Sequence, residues 1–261
     1  MKGKQKLFVI IGCSLLLWAG FWLMAAPMKT QGKGENSASN SLAAATKASP
    51  TAKPASGKEG MLASIKKLQK DKKLGSDAEN GTFYELEDFE RSEARLQYIF
   101  WYTTDYAPKN FILRADVEWE SASTTANWKD SGFGIVFHES EDQNFFYLVQ
   151  VLLDGNIKVW RMNLLAENYL GKRWVLLAEK YYGKPETPKG QTHLDLVVNQ
   201  DRVYVYLNNK LAISAYDHPM KTHPIFGEGK LAFTVVSGTN AGFGTWVKMS
   251  NIELWEMKSL D

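Results

Sequence analysis

Between residues 111 and 120 the chain reads FILRADVEWE, and every second side chain is apolar. Phe111, Leu113, Ala115, Val117 and Trp119 fall on one side of an extended backbone, and Ile112, Arg114, Asp116, Glu118 and Glu120 on the other. A period of two marks a strand with one buried and one wet face. Strand-length apolar segments recur along the rest of the chain: TFYELEDF, RLQYIFWY, GFGIVF, NFFYLVQV, NIKVWRM, KRWVLLAE, THLDLVVN, RVYVYLN, LAISAYD, KLAFTVVS and FGTWVKMSNIELWEM. Turn signals separate them, among them Asp154-Gly155-Asn156, Asn199-Gln200-Asp201 and Asn208-Asn209. No long helical pattern follows residue 80. Many short strands with such turns predict an all-β fold, a two-sheet antiparallel sandwich or jelly roll. Residues 162–192 are the least regular and read as long loops over one end.

The stretch SGFGIVFHESEDQNFFYLVQV (131–151) places the candidate site. If its hairpin closes at HESEDQN, Phe133, Ile135 and Phe137 share a face with Phe145, Tyr147, Val149 and Val151. That set is the expected inter-sheet core. The reverse face carries Gly132, Gly134, Val136 and His138 beside Phe146, Leu148 and Gln150. On the next strand Ile157 and Val159 need the core, so Lys158 and Trp160 join the reverse face. Glycines leave room there, and an aromatic among small polar groups suits sugar rings. Trp160, His138, Gln150 and Lys158 are therefore the predicted ligand-binding residues. The competing reading is that Leu164, Leu165 and Tyr169 cap Trp160 and leave a packed wall.

The N-terminus has a different character. Lys2, Lys4 and Lys6 precede an uncharged run from Leu7 to Ala26, long enough to span a bilayer. The flanking positive charge puts the N-terminus inside and the remainder outside. Residues 1–28 thus read as a signal anchor, with a cleaved signal peptide as the rival. Ala25-Ala26 offers small residues for cleavage, but Pro27 would follow the cut. Ile10-Ile11-Gly12-Cys13 looks like a lipoprotein box, yet the apolar run continues well past it. Cys13 is the only cysteine, so the folded part has no disulfide. Residues 29–60 are rich in Ala, Ser, Thr, Lys and Pro and read as a disordered tether. Residues 61–79 form a basic lead-in. MLASIKKLQKDKKL (61–74) suits a short helix with Leu62, Ile65 and Leu68 on one side. Its lysines are either solvated or drawn to an anionic envelope surface.

Charge divides along the same line. Residues 1–81 carry a net +8 and residues 82–261 a net −6. An acidic domain makes nucleic acid a poor partner, since phosphate binding needs a basic face.

Four segments together resemble a known superfamily: FILRADVEW, then SGFGIVFHESEDQNFFYLVQVLLDGNIKVWR, then LDLVVNQDRVYVYLNNKLAISAYD, then GKLAFTVVSGTNAGFGTWVKMSNIELWEM. In this order they are similar to the concanavalin A-like lectins and glucanases, and within them to exported laminin-G-like and 3-keto-disaccharide hydrolase-type modules. Asn209 stands where that family usually has glycine, and asparagine also tolerates a positive φ. The resemblance covers about residues 82–258, within a jelly-roll domain expected over 80–261. It implies a convex and a concave antiparallel sheet, with carbohydrate bound on the concave sheet or in rim loops, and calcium at the rim of some relatives. Glu139, Glu141 and Asp142 are the nearest acidic cluster, although a charged hairpin tip explains them equally.

Catalytic signals are sparse. ELEDFE (85–90) loosely echoes a glucanase signature, but Glu85 and Glu87 fall on what reads as an edge strand. Asp116 and Glu118 share a strand face and are a second option for the carboxylate pair a glycosidase needs. His138, His193, His218 and His223 lack metal-binding spacing, and there is no nucleophile elbow or phosphate loop. The expected function is a membrane-tethered or secreted binding module for a glycan such as an envelope polysaccharide, without a required cofactor. A glycoside hydrolase of the same fold and a protein-interaction ectodomain are the alternatives.

Overall fold

The computed structural model describes residues 56–258 apart from 97, 126, 164–173, 184–187 and 223–226. The leader, most of the tether and the capping residues Leu164, Leu165 and Tyr169 lie outside the described residues. The elements in chain order are α1 (Gly57–Lys70), β1 (Gly81–Leu86), β2 (Phe89–Glu93), β3 (Tyr98–Thr103), β4 (Asn110–Ser121), β5 (Gly132–Glu139), β6 (Phe145–Leu152) and β7 (Asn156–Asn163). Then come β8 (Trp174–Tyr181), β9 (Lys189–Asn199), β10 (Arg202–Leu207), β11 (Lys210–Tyr216), α2 (His218–Thr222), β12 (Lys230–Ser237) and β13 (Thr245–Met257).

The strands form two antiparallel sheets. One runs β1-β13-β4-β9-β10-β11, the other β3-β12-β5-β6-β7-β8. Strand β2 also pairs with β13, along Thr245–Met249, while β1 pairs along Ile252–Met257. Since β4 occupies the other side of β13, β1 and β2 make one interrupted edge. The sheets bury a common core in which Phe111, Leu113, Ala115, Val117 and Trp119 of β4 meet Phe133, Ile135, Phe137, Tyr147, Val149, Val151, Ile157 and Val159. The alternation of 111–120 and the expected β5–β6 inner face are both present, with Phe133, Ile135 and Phe137 opposite Val151, Val149 and Tyr147. Phe145 is only half-buried at the start of its strand. The turn between β10 and β11 has Asn208 and Asn209 at φ 50° and 64°. Two successive left-handed residues are what a tight hairpin of matching twist requires.

Helix α1 differs from a solvated lead-in. It begins four residues before the expected segment, and Met61, Ile65 and Leu68 at helical spacing are buried. Leu62 is only half-buried. The buried side packs on Ile112, Val197, Tyr204, Trp255 and Met257, which belong to the outer face of the seven-stranded sheet. The alternation of β4 had assigned Ile112 to the wet side; the helix is what keeps it dry. The Trp255 indole N–H donates to Ala78 O (2.9 Å), and the Gly57 amide donates to Glu253 Oε1 (2.5 Å). The second bond satisfies one of the amides that every helix start leaves open.

Candidate functional site

The outer face of the six-stranded sheet is built by register. One row of partners runs Trp101, Thr234, Gly134, Gln150, Lys158, Glu179 from β3 to β8. The adjacent row runs Thr103, Ala232, Val136, Leu148, Trp160, Leu176. Gly134 cannot be enlarged, because a Cβ there would lie 2.2 Å from Val149 O. The structure thus brings together three of the four predicted residues. The Trp160 indole N–H donates to Gln150 Oε1 (3.3 Å), and Lys158 Nζ lies 3.1 Å from Glu179 Oε1. The ammonium is also 6.0 Å from the Trp160 ring centroid. Trp160 is half-buried and meets Trp174 edge-on at 5.8 Å, and Trp174 and Leu176 are each 43% exposed.

His138 is the residue that does not join them. The β5–β12 register shifts between Lys230 and Ala232, and His138 adopts φ 52°. This bulge reverses the alternation. His138 turns into the interior, where its ring contacts Phe111, Phe137 and Tyr147 and its Nε2 lies 2.9 Å from Lys109 O. Glu139 takes its place on the outer face, 1% exposed, accepting from Trp101 Nε1 (2.7 Å) and Thr103 Oγ1 (2.6 Å). Burial pushes the Glu139 pKa up, against the pull of those hydrogen bonds. Thr234 is fully buried on the same face, and its hydroxyl has no partner among the described residues. Trp101, Glu139, Thr234 and Trp174 were not predicted. Trp101 was legible, since alternation in YIFWY sets it opposite Phe100 and Tyr102, which contact each other at 4.8 Å; Glu139 was not.

The acidic hairpin tip does not converge on an ion site. Asp142 accepts from Ser140 Oγ (2.5 Å) and from the amide and side chain of Asn144 (3.1 and 2.8 Å), bonds that lower its pKa and close the turn. Among the described residues no group of three or more His, Cys, Asp or Glu is placed to hold a metal.

The other sheet carries the carboxylates considered for catalysis, Asp116 on its outer face among them. Asp116 is bound by His193 Nδ1 (2.9 Å) and Asn251 Nδ2 (2.7 Å). His193 Nε2 lies 3.3 Å from Asp195 Oδ1, an ion-pair contact without hydrogen-bond alignment. Burial opposes charge on His193, but Asp195 and Asp116 outweigh it and raise its pKa. Asp195 also accepts from Arg114 Nε (3.0 Å), a guanidinium 2% exposed whose other side faces Glu253 at 3.6 Å. Glu118 stands exposed beside Gln191 and Lys248 rather than paired with Asp116. Glu85 is exposed on edge strand β1, Glu87 falls between β1 and β2, and Glu90 accepts from the Trp246 indole (3.0 Å).

No family model matches the chain, and no curated protein matches it. Solved structures similar to it include the carbohydrate binding module CBM66 from Bacillus subtilis, at 16% identity and TM-score 0.46, covering 66% of this chain and 94% of that one. A fructosyltransferase from A. japonicus is similar at 17% identity and TM-score 0.46 over 71% of this chain and 28% of its own. A putative glycosyl hydrolase from Parabacteroides distasonis is similar at 14% identity and TM-score 0.37, covering 60% and 76%. The chain therefore spans under a third of the fructosyltransferase, and at these identities and scores the likenesses assign neither ligand nor activity.

Proposed function

We propose that this chain is an extracytoplasmic carbohydrate-binding module with a concanavalin A-like jelly-roll sandwich. In this reading residues 1–28 hold it to the membrane, or release it if cleaved, and the outer face of the six-stranded sheet binds the glycan. The order of the four resembling segments supports the family, and the uncharged run after Lys2, Lys4 and Lys6 supports the location. One observation carries the site: Trp160, half-exposed, is oriented by Gln150 and Trp174 beside a charged Lys158–Glu179 pair. An indole face takes the C–H side of a sugar ring while flanking polar groups take its hydroxyls.

Binding fits this face better than hydrolysis does. Among the described residues, the carboxylates carried by its strands, Glu139 and Glu179, sit on β5 and β8 with two strands between. Three strand spacings are about 14 Å, whereas glycosidase carboxylates stand about 5–9.5 Å apart. The test is Trp160→Ala, read by a glycan array and by urea unfolding. Loss of about 1–3 kcal/mol of binding at little cost in stability is expected, by analogy with other planar ligands stacked on aromatics. A stability loss of about 3–5 kcal/mol, as for truncating a buried tryptophan, with no glycan bound by the parent protein, would refute the site.

A further inference from the structure

We propose that the solvent face of α1 is a docking surface for the anionic lipid headgroups of a membrane, a proposal that rests on the membrane-proximal placement given above. The docking of Met61, Ile65 and Leu68 consumes the apolar side of the helix, so α1 has no greasy face left to insert. What remains outward is basic. Lys66, Lys67 and Lys70 on the helix and Lys72 just past it are all exposed, outnumbering the exposed Glu59 and Asp71, and none of the four has a carboxylate within ion-pair distance among the described residues. Lys67 and Lys70 suit the negative end of the helix dipole, but that role does not call for four lysines. Residues 56–74 carry a net +4 on a domain whose residues 82–261 carry −6. The molecule is therefore polarised, with its basic pole at the element nearest the tether.

Charge and chain length favour a bilayer as the occupant. Thirty residues separate Ala26 from Gly57, and a chain of that length reaches about 100 Å at most. In a chain held at residue 26, α1 is the described element nearest in sequence to the bilayer and within reach of the layer, about 10 Å deep, in which surface charge is felt. Clustered lysines bind an anionic leaflet electrostatically, without insertion. Repulsion of the acidic remainder then turns the sandwich outward and leaves the six-stranded sheet free for a ligand.

The test is lysine acylation footprinting of the full chain in lipid nanodiscs, read by mass spectrometry. One set of discs is phosphatidylcholine, and the other is phosphatidylcholine and phosphatidylglycerol at about three to one. The expected result is acylation of Lys66, Lys67, Lys70 and Lys72 slowed about threefold or more by the anionic lipid. Lys129 and Lys180, exposed elsewhere, should be unaffected. The protection should vanish near 1 M salt, where the screening length is about 3 Å, and in the Lys66→Gln, Lys67→Gln, Lys70→Gln variant. Equal acylation in both discs, or equal protection of Lys129 and Lys180, overturns the proposal. Failure of the chain to co-elute with neutral discs defeats the anchor instead. In that case the proposal stands if anionic discs still retain the chain and shield the same lysines, and falls if they do not.

Discussion

Replacing Ile65 by alanine tests whether α1 is part of the folded domain or only rests on it. Ile65 is fully buried between the helix and the outer face of the seven-stranded sheet, against the cluster of Ile112, Val197, Tyr204 and Trp255. Truncating a buried isoleucine to alanine costs about 2–5 kcal/mol, more where the surroundings cannot collapse into the gap. One wall here is a sheet backed by the main core, which yields little, so about 3 kcal/mol is expected. That weakens helix docking by a factor of about 150 and lowers the melting temperature by about 6–12 °C if the domain unfolds as one unit. The loss has a ceiling. Once it exceeds the free energy of docking, the helix releases and further truncation costs nothing, so Met61→Ala in the same chain should be sub-additive. Hydrogen exchange distinguishes the outcomes: amides of residues 57–70 should exchange faster in Ile65→Ala while β4 and β13 stay protected. A stability change within about 0.5 kcal/mol, the range of an exposed substitution, with unchanged exchange in α1, would refute the packing argument.

Further outcomes follow from buried charge. His193 has a raised pKa, so its contribution to stability is complete below the unfolded value of about 6.5 and is lost as pH rises through the folded value above it. Urea midpoints measured across that window should fall in the parent protein and stay flatter in His193→Gln; equal slopes would discard the ion-pair reading. Glu139→Ala strands the Trp101 indole and the Thr103 hydroxyl. Each donor left without a partner should cost about 1–3 kcal/mol in chemical denaturation; a neutral result would mean the carboxylate is not holding them.

Most of the sandwich is legible in the sequence because its physics is local. The alternation of β4, the inner faces of β5 and β6 and the paired asparagines at 208–209 each depend on a few adjacent residues. The candidate site was readable to the same extent: Gln150, Lys158 and Trp160 follow from counting by twos. His138 broke the count because a bulge adds a residue to one strand alone, and whether it forms depends on the partner strand. There Gly229, at φ 147°, leaves room against the Glu139 backbone, 90 residues earlier, and no local pattern joins the two. The burial of α1 was hidden for a related reason. Its apolar spacing shows which side is greasy, but the surface that receives it comes from β4, β9, β10 and β13, chosen only when the sheet assembles.

The attachment of α1 also determines how the domain meets a mechanical load. A pull arriving through residue 56 reaches the Gly57–Glu253 bond first, and then Met61, Ile65 and Leu68 one after another. Peeling breaks such contacts in series at low force, and β1 comes under load only afterwards, opening from β13 at the Gly81–Met257 pair. The helix is then a sacrificial link between leader and sandwich, releasing about 80 Å of chain before the sheets are strained. Pulling the full chain by its termini should record that short low-force step ahead of the main rupture, and a single rupture would show that helix and sheets yield together.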